Sequence, residues 1–163
     1  MDIFDILGPV MVGPSSSHTA GAARIGSMAR TLLGSKPTKA AIHLYGSFAD
    51  TGLGHGTDRA LVAGLLGMKP DDLRIPSAFE EAKKAGLDFT IDTIDLRDAH
   101  PNTAVIEAES ADGKKLVMQA SSIGGGRIMV NKLDGIEENF NGTDNPLVIR
   151  NLDYYSSEAA VTT

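Results

Sequence analysis

The stretch TAVIEAESADGKKLVMQASSIGGGRIMVNKL, residues 103–133, indicates three consecutive β-strands. Apolar residues alternate with polar ones or run in short blocks, which is the pattern of strands that bury one face. Asp112-Gly113 is a turn signal between the first two blocks, and three glycines separate the second block from the third. The segment therefore predicts neighbouring antiparallel strands over 103–110, 115–124 and 127–133.

The preceding residues predict a helix-rich first half. Small and apolar residues recur at helical spacing over 16–33, and Gly34 is positioned to end that helix. AAIHLYGSF (40–48) reads as a strand, and DFTIDTIDL (88–96) opens the antiparallel run. His43 falls within the first of these strands, and Met118 and Met129 are expected in the core.

Two shorter helices are expected between these strands. Thr57 or Asp58 is predicted to cap the first, and Ser77 and Glu80 to form a capping box at the start of the second, which ends at Gly86. The buried stripe of the first helix is predicted to be Leu61, Val62, Leu65 and Leu66.

These elements predict an α/β (α+β) sandwich with a mixed, largely antiparallel sheet and helices packed on it. The length of 163 residues suits one domain or a domain plus a fragment of another. The domain is expected over 1–145, and residues 146–163 are expected to be the opening of a second domain cut short or a flexible tail.

Composition excludes several classes of function. A net charge of −6 disfavours binding to nucleic acid or to an anionic membrane surface. No apolar run is long enough to span a bilayer, and the acidic opening MDIFDILG lacks the basic region of a signal peptide, so a cytoplasmic protein is expected. The absence of cysteine means that this chain supplies no thiolate to a metal or cluster.

The serine-rich turn GPSSSHTAG, residues 13–21, precedes the first helix. Its hydroxyls and the free N–H groups of the helix would bind a carboxylate or phosphate. The plainer interpretation is that one serine caps the helix and the others are solvated. A cap needs only one of the three serines, but the segment by itself favours the plainer interpretation and leaves the ligand-binding turn open.

Three more polar segments lie where elements meet. In GHGTD, residues 54–58, two glycines flank His55 and leave its imidazole uncrowded for proton transfer, although the segment could be an ordinary glycine-rich turn. HPNTA, residues 100–104, places Asn102 after a rigid turn, and is by itself most often only a turn. SSIGGGRI, residues 121–128, contains three glycines that call for a reason such as the close approach of a ligand or of another backbone.

The segments GPSSSHTAG, GHGTD, HPNTA and SIGGG, in this order and at these separations, resemble the β chain of the bacterial iron–sulfur L-serine dehydratases. The opening DIFDILGPVMVGPSSSHTAGAARIG, residues 2–26, is similar to the signature of that family over its whole length. The resemblance extends from residue 1 to about residue 145, and it implies that residues 146–163 are the truncated start of an ACT domain. It implies a domain similar to the allosteric substrate-binding domain of some phosphoglycerate dehydrogenases.

The resemblance also implies an activity: L-serine is converted to pyruvate and ammonia without pyridoxal phosphate, as part of amino-acid metabolism and gluconeogenesis. A [4Fe-4S] cluster, held by cysteines of a partner α chain, would act as Lewis acid on the substrate hydroxyl. This chain would then be inactive alone and would work in a hetero-oligomer or as a homo-dimer. Proton transfer is assigned to His55 or His18, and substrate binding to Ser15, Ser16, Ser17, Thr19, Asn102 and Ser122.

Two alternatives remain open from the sequence. The chain could be a non-catalytic module that binds L-serine as an allosteric effector, in which case loss of His55 would change half-saturation rather than the maximal rate. It could also be a free-standing anion-binding protein with no cysteine-bearing partner.

Overall fold

The computed structural model describes residues 16–52 and 56–141. In chain order the helices are α1 (Ser16–Leu33), α2 (Ser47–Gly52), α3 (Thr57–Leu65) and α4 (Ala78–Ala85), with a 3-10 turn at Ile75–Ser77. The strands are β1 (Pro37–Gly46), β2 (Asp88–Thr93), β3 (Asn102–Ser110), β4 (Lys115–Gly124), β5 (Arg127–Leu133) and β6 (Ile136–Asn141).

The six strands form one sheet in the order β2-β1-β3-β4-β5-β6. β1 and β2 pair in parallel, and every other neighbouring pair is antiparallel. The parallel pair is possible because α2, α3 and α4 form the crossover between its two strands. The predicted mixed, largely antiparallel sheet with helices packed on it is confirmed.

The helices and one face of the sheet enclose the core. α1 lies on β3, β4 and β5 and also packs against α3. The side chains that β1, β3 and β4 direct towards the helices are buried at alternate positions, as in Ile42, Ile106 and Met118. The opposite face carries exposed side chains such as Lys39 and Glu107. None of the helices that the structure describes is long and apolar enough to cross a bilayer.

Several predicted boundaries are confirmed. α1 covers the predicted residues and ends at Gly34, whose φ of 83° is favourable for glycine. β4 and β5 have the predicted limits, and Gly86 ends α4 with φ 80°.

Both Met118 and Met129 are expected in the core. Met118 is buried there, whereas Met129 is half-buried.

Two strand predictions are wrong in part. The strand expected over 40–48 runs from Pro37 to Gly46, because Ser47 starts α2. DFTIDTIDL pairs in parallel with β1 rather than antiparallel, and its strand ends at Thr93. β6 was not predicted, because its sequence IEENFN lacks a clear apolar alternation.

One predicted helix cap is wrong, and the other is right in position but not in its hydrogen bonds. Gly56 rather than Thr57 or Asp58 occupies the N-cap of α3, with φ 103° and no side-chain cap bond. Ser77 does stand at the N-cap of α4 but forms no capping bond, because its hydroxyl donates to the Arg74 carbonyl instead. Of the predicted stripe of α3, Leu66 is only half-buried. The expected ACT start or tail over 146–163 lies outside the described residues and stays a prediction.

Candidate functional site

The His-Pro-Asn turn closes directly on the end of β1. Gly46 is paired with Asn102, and the Ser47 N–H donates to the Pro101 carbonyl at 2.7 Å. A Cβ on Gly46 would stand 2.3 Å from that same oxygen, and its φ is 64°. Gly46 therefore allows the turn to lie at the end of the sheet where β1 stops and β3 starts.

The start of α1 reaches the same end of the sheet. A Cβ on Gly21 would stand 2.1 Å from Ser122 Oγ, so glycine at this position lets the helix lie directly on β4. Ser122 is 1% exposed. It follows Ser121, which is paired with Thr103, the residue after Asn102. The sixth residue of α1, the His-Pro-Asn turn and the end of β4 therefore lie at the same end of the sheet.

Asn102 presents an unused acceptor at this place. Its backbone N–H donates to His100 Nδ1 at 3.0 Å. Nδ1 is therefore the nitrogen of the His100 ring that carries no proton. Its side-chain Oδ1 is the one buried side-chain nitrogen or oxygen of the described residues that has no hydrogen-bond partner. Leaving a buried acceptor unpaired costs about 1–3 kcal/mol, so such an atom calls for a donor from outside.

A chain of polar side chains supports the turn from the other face of the sheet. Thr103 Oγ1 lies 2.6 Å from the His100 carbonyl and 2.8 Å from Ser121 Oγ. Ser121 Oγ lies 2.7 Å from the side-chain amide of Asn131 on β5. Thr103 and Ser121 are 0% and 1% exposed, so three strands hold the turn through contacts that water does not weaken.

The donor and the acceptor of each hydrogen bond in this row of polar side chains can be assigned. The His100 carbonyl only accepts, so Thr103 donates to it and Ser121 donates to Thr103. The third contact then needs a donor from Asn131. We therefore expect the side-chain amide of Asn131 to be rotated so that its nitrogen, rather than Oδ1, faces Ser121 Oγ. This rotation only exchanges the nitrogen and the oxygen of the amide, which are of nearly equal size.

The three glycines have a structural explanation. Gly125 and Gly126, with φ 63° and 77°, form the two-residue turn of the β4–β5 hairpin, which requires positive φ at both positions. A Cβ on Gly126 would stand 3.6 Å from the Ala20 side chain and 3.7 Å from Arg24 Nε, so the hairpin also packs on α1. The expected close approach of another backbone is not found among the described residues, because the atoms nearest to a Cβ on Gly126 are side-chain atoms at ordinary van der Waals distance. The close approach of a ligand stays a prediction.

The start of α3 follows the predicted histidine loop. Thr57 and Asp58 are 3% and 4% exposed, and Asp58 Oδ1 accepts the Arg59 N–H at 2.7 Å. A carboxylate in the first turn is favourable beside the positive end of the helix dipole. Asp58 therefore stabilises α3 as a carboxylate in the first turn rather than as the N-cap residue.

The predicted site residues fall into three groups. Asn102 and Ser122 lie beside the Thr103–Ser121 pair, and Thr19 is half-buried in α1, two residues before the glycine that contacts Ser122. Ser15 and His55 lie outside the described residues. The backbone of the remaining three belongs to the first turn of α1: Ser16, Ser17 and His18.

Sequence reasoning missed the supporting residues Thr103, Ser121 and Asn131. Their only signal is that polar side chains recur on alternate positions of strands whose other positions are apolar. The cross-strand register that joins them is not visible in the sequence.

A second polar cluster lies on the exposed face of the sheet. His43 Nδ1 is 2.5 Å from Asp92 of β2, and Nε2 is 2.8 Å from Glu107 of β3. Partial burial lowers the pKa of His43, but the hydrogen bonds and charges of the two carboxylates outweigh it and raise that pKa above 6.5. The imidazolium thus joins three strands.

The described residues contain no group of three or more His, Asp or Glu side chains that could hold a metal ion. The full sequence has no cysteine. Thiolate ligands for an iron–sulfur cluster would therefore have to come from outside these 163 residues.

Comparison with known proteins gives consistent matches. The family described as "Serine dehydratase beta chain" matches residues 1–133. The chain is 44% identical to the "Probable L-serine dehydratase, beta chain" of Bacillus subtilis, over 98% of this chain and 72% of that protein. It is 46% identical to the "L-serine dehydratase, beta chain" of Peptoniphilus asaccharolyticus, over 85% of this chain and 63% of that protein. It is 33% identical to "L-serine dehydratase 2" of Escherichia coli, over 79% of this chain but 33% of that protein. This chain belongs to the serine dehydratase beta chain family.

Proposed function

We propose that this chain is the β subunit of an iron–sulfur L-serine dehydratase. In this proposal it contributes substrate-binding and proton-transfer groups to a site that is completed by a cluster-bearing α chain. The observation that carries the proposal is the unpartnered Oδ1 of Asn102, at the end of the sheet where α1 also begins. The similar proteins named as β chains of L-serine dehydratase support the same activity.

L-serine has two charged groups that this end of the chain can recognise. Its carboxylate suits the start of α1, where free backbone N–H groups, the positive end of the helix dipole and the hydroxyls of the serine-rich turn act together. Its ammonium suits Asn102 Oδ1, which needs a donor. The Thr103–Ser121 pair holds the His-Pro-Asn turn and thereby keeps Asn102 at a fixed distance from α1.

Elimination of water from L-serine breaks the bond between the α-carbon and its hydrogen and the bond between the β-carbon and oxygen. A base must accept the α-proton. His55, between two glycines, is our candidate for this base, because an imidazole titrates near neutral pH. His18 is the second candidate. The [4Fe-4S] cluster of the α chain would supply the Lewis acid that assists departure of the hydroxyl.

The first test is an anaerobic assay of pyruvate formation from L-serine. It compares this chain alone, the α chain alone and the two together. Activity only in the mixture is expected. Full activity of the α chain alone would make this chain a regulator and would remove the proposed catalytic roles.

The second test separates proton transfer from binding. His55→Ala in the mixed enzyme should lower the maximal rate by about 10²-fold or more, the usual effect of losing a general base. His43→Gln, a histidine on the exposed face of the sheet, is the control and should keep the rate of the parent. A variant His55→Ala with an unchanged maximal rate and a raised half-saturating serine concentration would favour the allosteric binding module instead.

A further inference from the structure

A groove runs between α1, the residues after α3 and the β4–β5 hairpin. It encloses about 950 Å³. Its charged lining residues are Arg24, Lys69 and Arg127, and none of the described residues that line it is acidic. The whole chain carries a net charge of −6, so this groove opposes the charge of the rest of the molecule.

The three cations are available for a ligand. All three are exposed, and the ion pairs among the described residues involve other cations. Among the described residues, the Arg127 side chain forms one hydrogen bond, from Nε to the Gly124 carbonyl at 3.4 Å. Their charges are therefore not neutralised by the described part of this chain.

The remaining lining is largely apolar and rich in methionine. Met28 and Met68 are buried and form the floor, while Met129 and Ile123 are half-buried at the side. Methionine side chains are flexible and polarizable, and they are typical of surfaces that accept a segment of another protein. An apolar floor with a cationic rim is complementary to an amphipathic segment with acidic residues along its edges.

The groove adjoins the candidate site. Arg24 lies one turn after Ala20 on α1, and both approach Gly126 of the hairpin. The same helix contacts Ser122 through Gly21. A protein that completes the site at the start of α1 would reach the groove within one helical turn.

We propose that this groove seats an acidic, amphipathic segment of the cluster-bearing α chain. The proposal rests on the proposed function, because that function supplies the partner. A small anion fits less well, since the cations are exposed rather than enclosed and the volume is near the upper end of the usual range for small ligands, about 300–1,000 Å³.

The test is titration of the labelled full-length chain with the α chain under anaerobic conditions. The double variant Arg24→Glu/Arg127→Glu should bind at least about 10-fold more weakly than the parent at low salt. Added salt should weaken binding of the parent more than binding of this variant. The double variant Lys36→Glu/Lys83→Glu makes the same change in net charge at exposed positions outside the groove and should keep the dissociation constant of the parent.

Equal binding by the variant Arg24→Glu/Arg127→Glu, here called the groove variant, and by the parent would overturn the inference while leaving the proposed function intact. Failure of the parent to bind the α chain would instead contradict the proposed function, and the inference would fall with it. A third outcome assigns the groove to a small anion and also overturns the inference. In that case inorganic phosphate raises the melting temperature of the parent but not of the groove variant, and both bind the α chain equally.

Discussion

Gly26 of α1 lies against Gly64 of α3 so closely that neither position has room for a methyl group. A Cβ on Gly26 would stand 2.2 Å from the Leu61 carbonyl oxygen, and one on Gly64 would stand 2.1 Å from the Ala23 carbonyl oxygen. Both obstacles are backbone atoms, which cannot turn aside as a side chain can.

The first prediction concerns this crossing. Gly26→Ala should destabilise the protein by about 3 kcal/mol or more, since overpacking alone costs about 1–3 kcal/mol and here the two helices must separate. The intrinsic helix preference of alanine, about 1 kcal/mol, does not offset this cost. Urea denaturation measures the effect. Thr31→Ala on the exposed side of α1 is the control and should change the free energy of unfolding by less than about 0.5 kcal/mol.

The second prediction concerns pH. Because the folded-state pKa of His43 is raised, the ion cluster stabilises the fold fully below the unfolded pKa of about 6.5. This contribution is lost as pH rises through the folded pKa. We expect the difference in unfolding free energy between the parent and His43→Gln to be about 1 kcal/mol or less at pH 5.5, since the two carboxylates are largely exposed, and to shrink at pH 9. A difference that grows with pH would contradict this assignment.

The third prediction concerns the chain of hydroxyls under the His-Pro-Asn turn. Thr103→Val keeps the shape of the side chain but removes the hydroxyl that donates to the His100 carbonyl, and it leaves Ser121 with Asn131 as its one remaining partner among the described residues. It should lower the free energy of unfolding by about 1–3 kcal/mol in urea denaturation. Thr103→Ser restores the hydroxyl and should recover most of this loss. Parent-like stability of Thr103→Val together with destabilisation by Thr103→Ser would show that packing of the methyl group, rather than the hydrogen bonds, is what matters.

The fourth prediction concerns Asn102 in the mixed enzyme. Asn102→Ala should raise the half-saturating serine concentration by about 10-fold to 100-fold, the value of a hydrogen bond to a charged group. The maximal rate should change much less. Asn102→Asp keeps an acceptor for the ammonium and should retain more of the affinity. An Asn102→Ala enzyme with the half-saturation of the parent would exclude contact between this side chain and the substrate.

Local signals made much of the fold predictable. Helix α1 has an apolar period and a glycine at its end, and β4 and β5 are bounded by turn residues, so their limits follow from the sequence. The parallel pairing of β1 with β2 depends on how the crossover folds back, which no local pattern specifies. The capping box at Ser77 fails because the hydroxyl has a nearer acceptor in the preceding turn.

The candidate site was predictable as a set of segments but not as a geometry. The polar motifs stand at the junctions of elements, which is why they indicated a common location. The sequence could not reveal that Ser122 is covered by α1 through Gly21, or that Asn102 has an unused acceptor. Both facts depend on distances between elements that are far apart in the chain.

The strand order has a consequence for synthesis. β1 lies between β2 and β3, and both of these strands follow it in the sequence. The ribosome must add about 64 residues after Gly46 before Ser110 is reached, which at about 5–20 residues per second takes roughly 3–13 s. β1 has no neighbour on either edge until β2 ends at Thr93, 47 residues after Gly46, and it lacks its second neighbour until β3 ends at Ser110. Over the same time α1 lacks the strands β3, β4 and β5 on which it packs. The emerging chain is therefore most exposed to aggregation and to chaperones before β1 is enclosed on both edges.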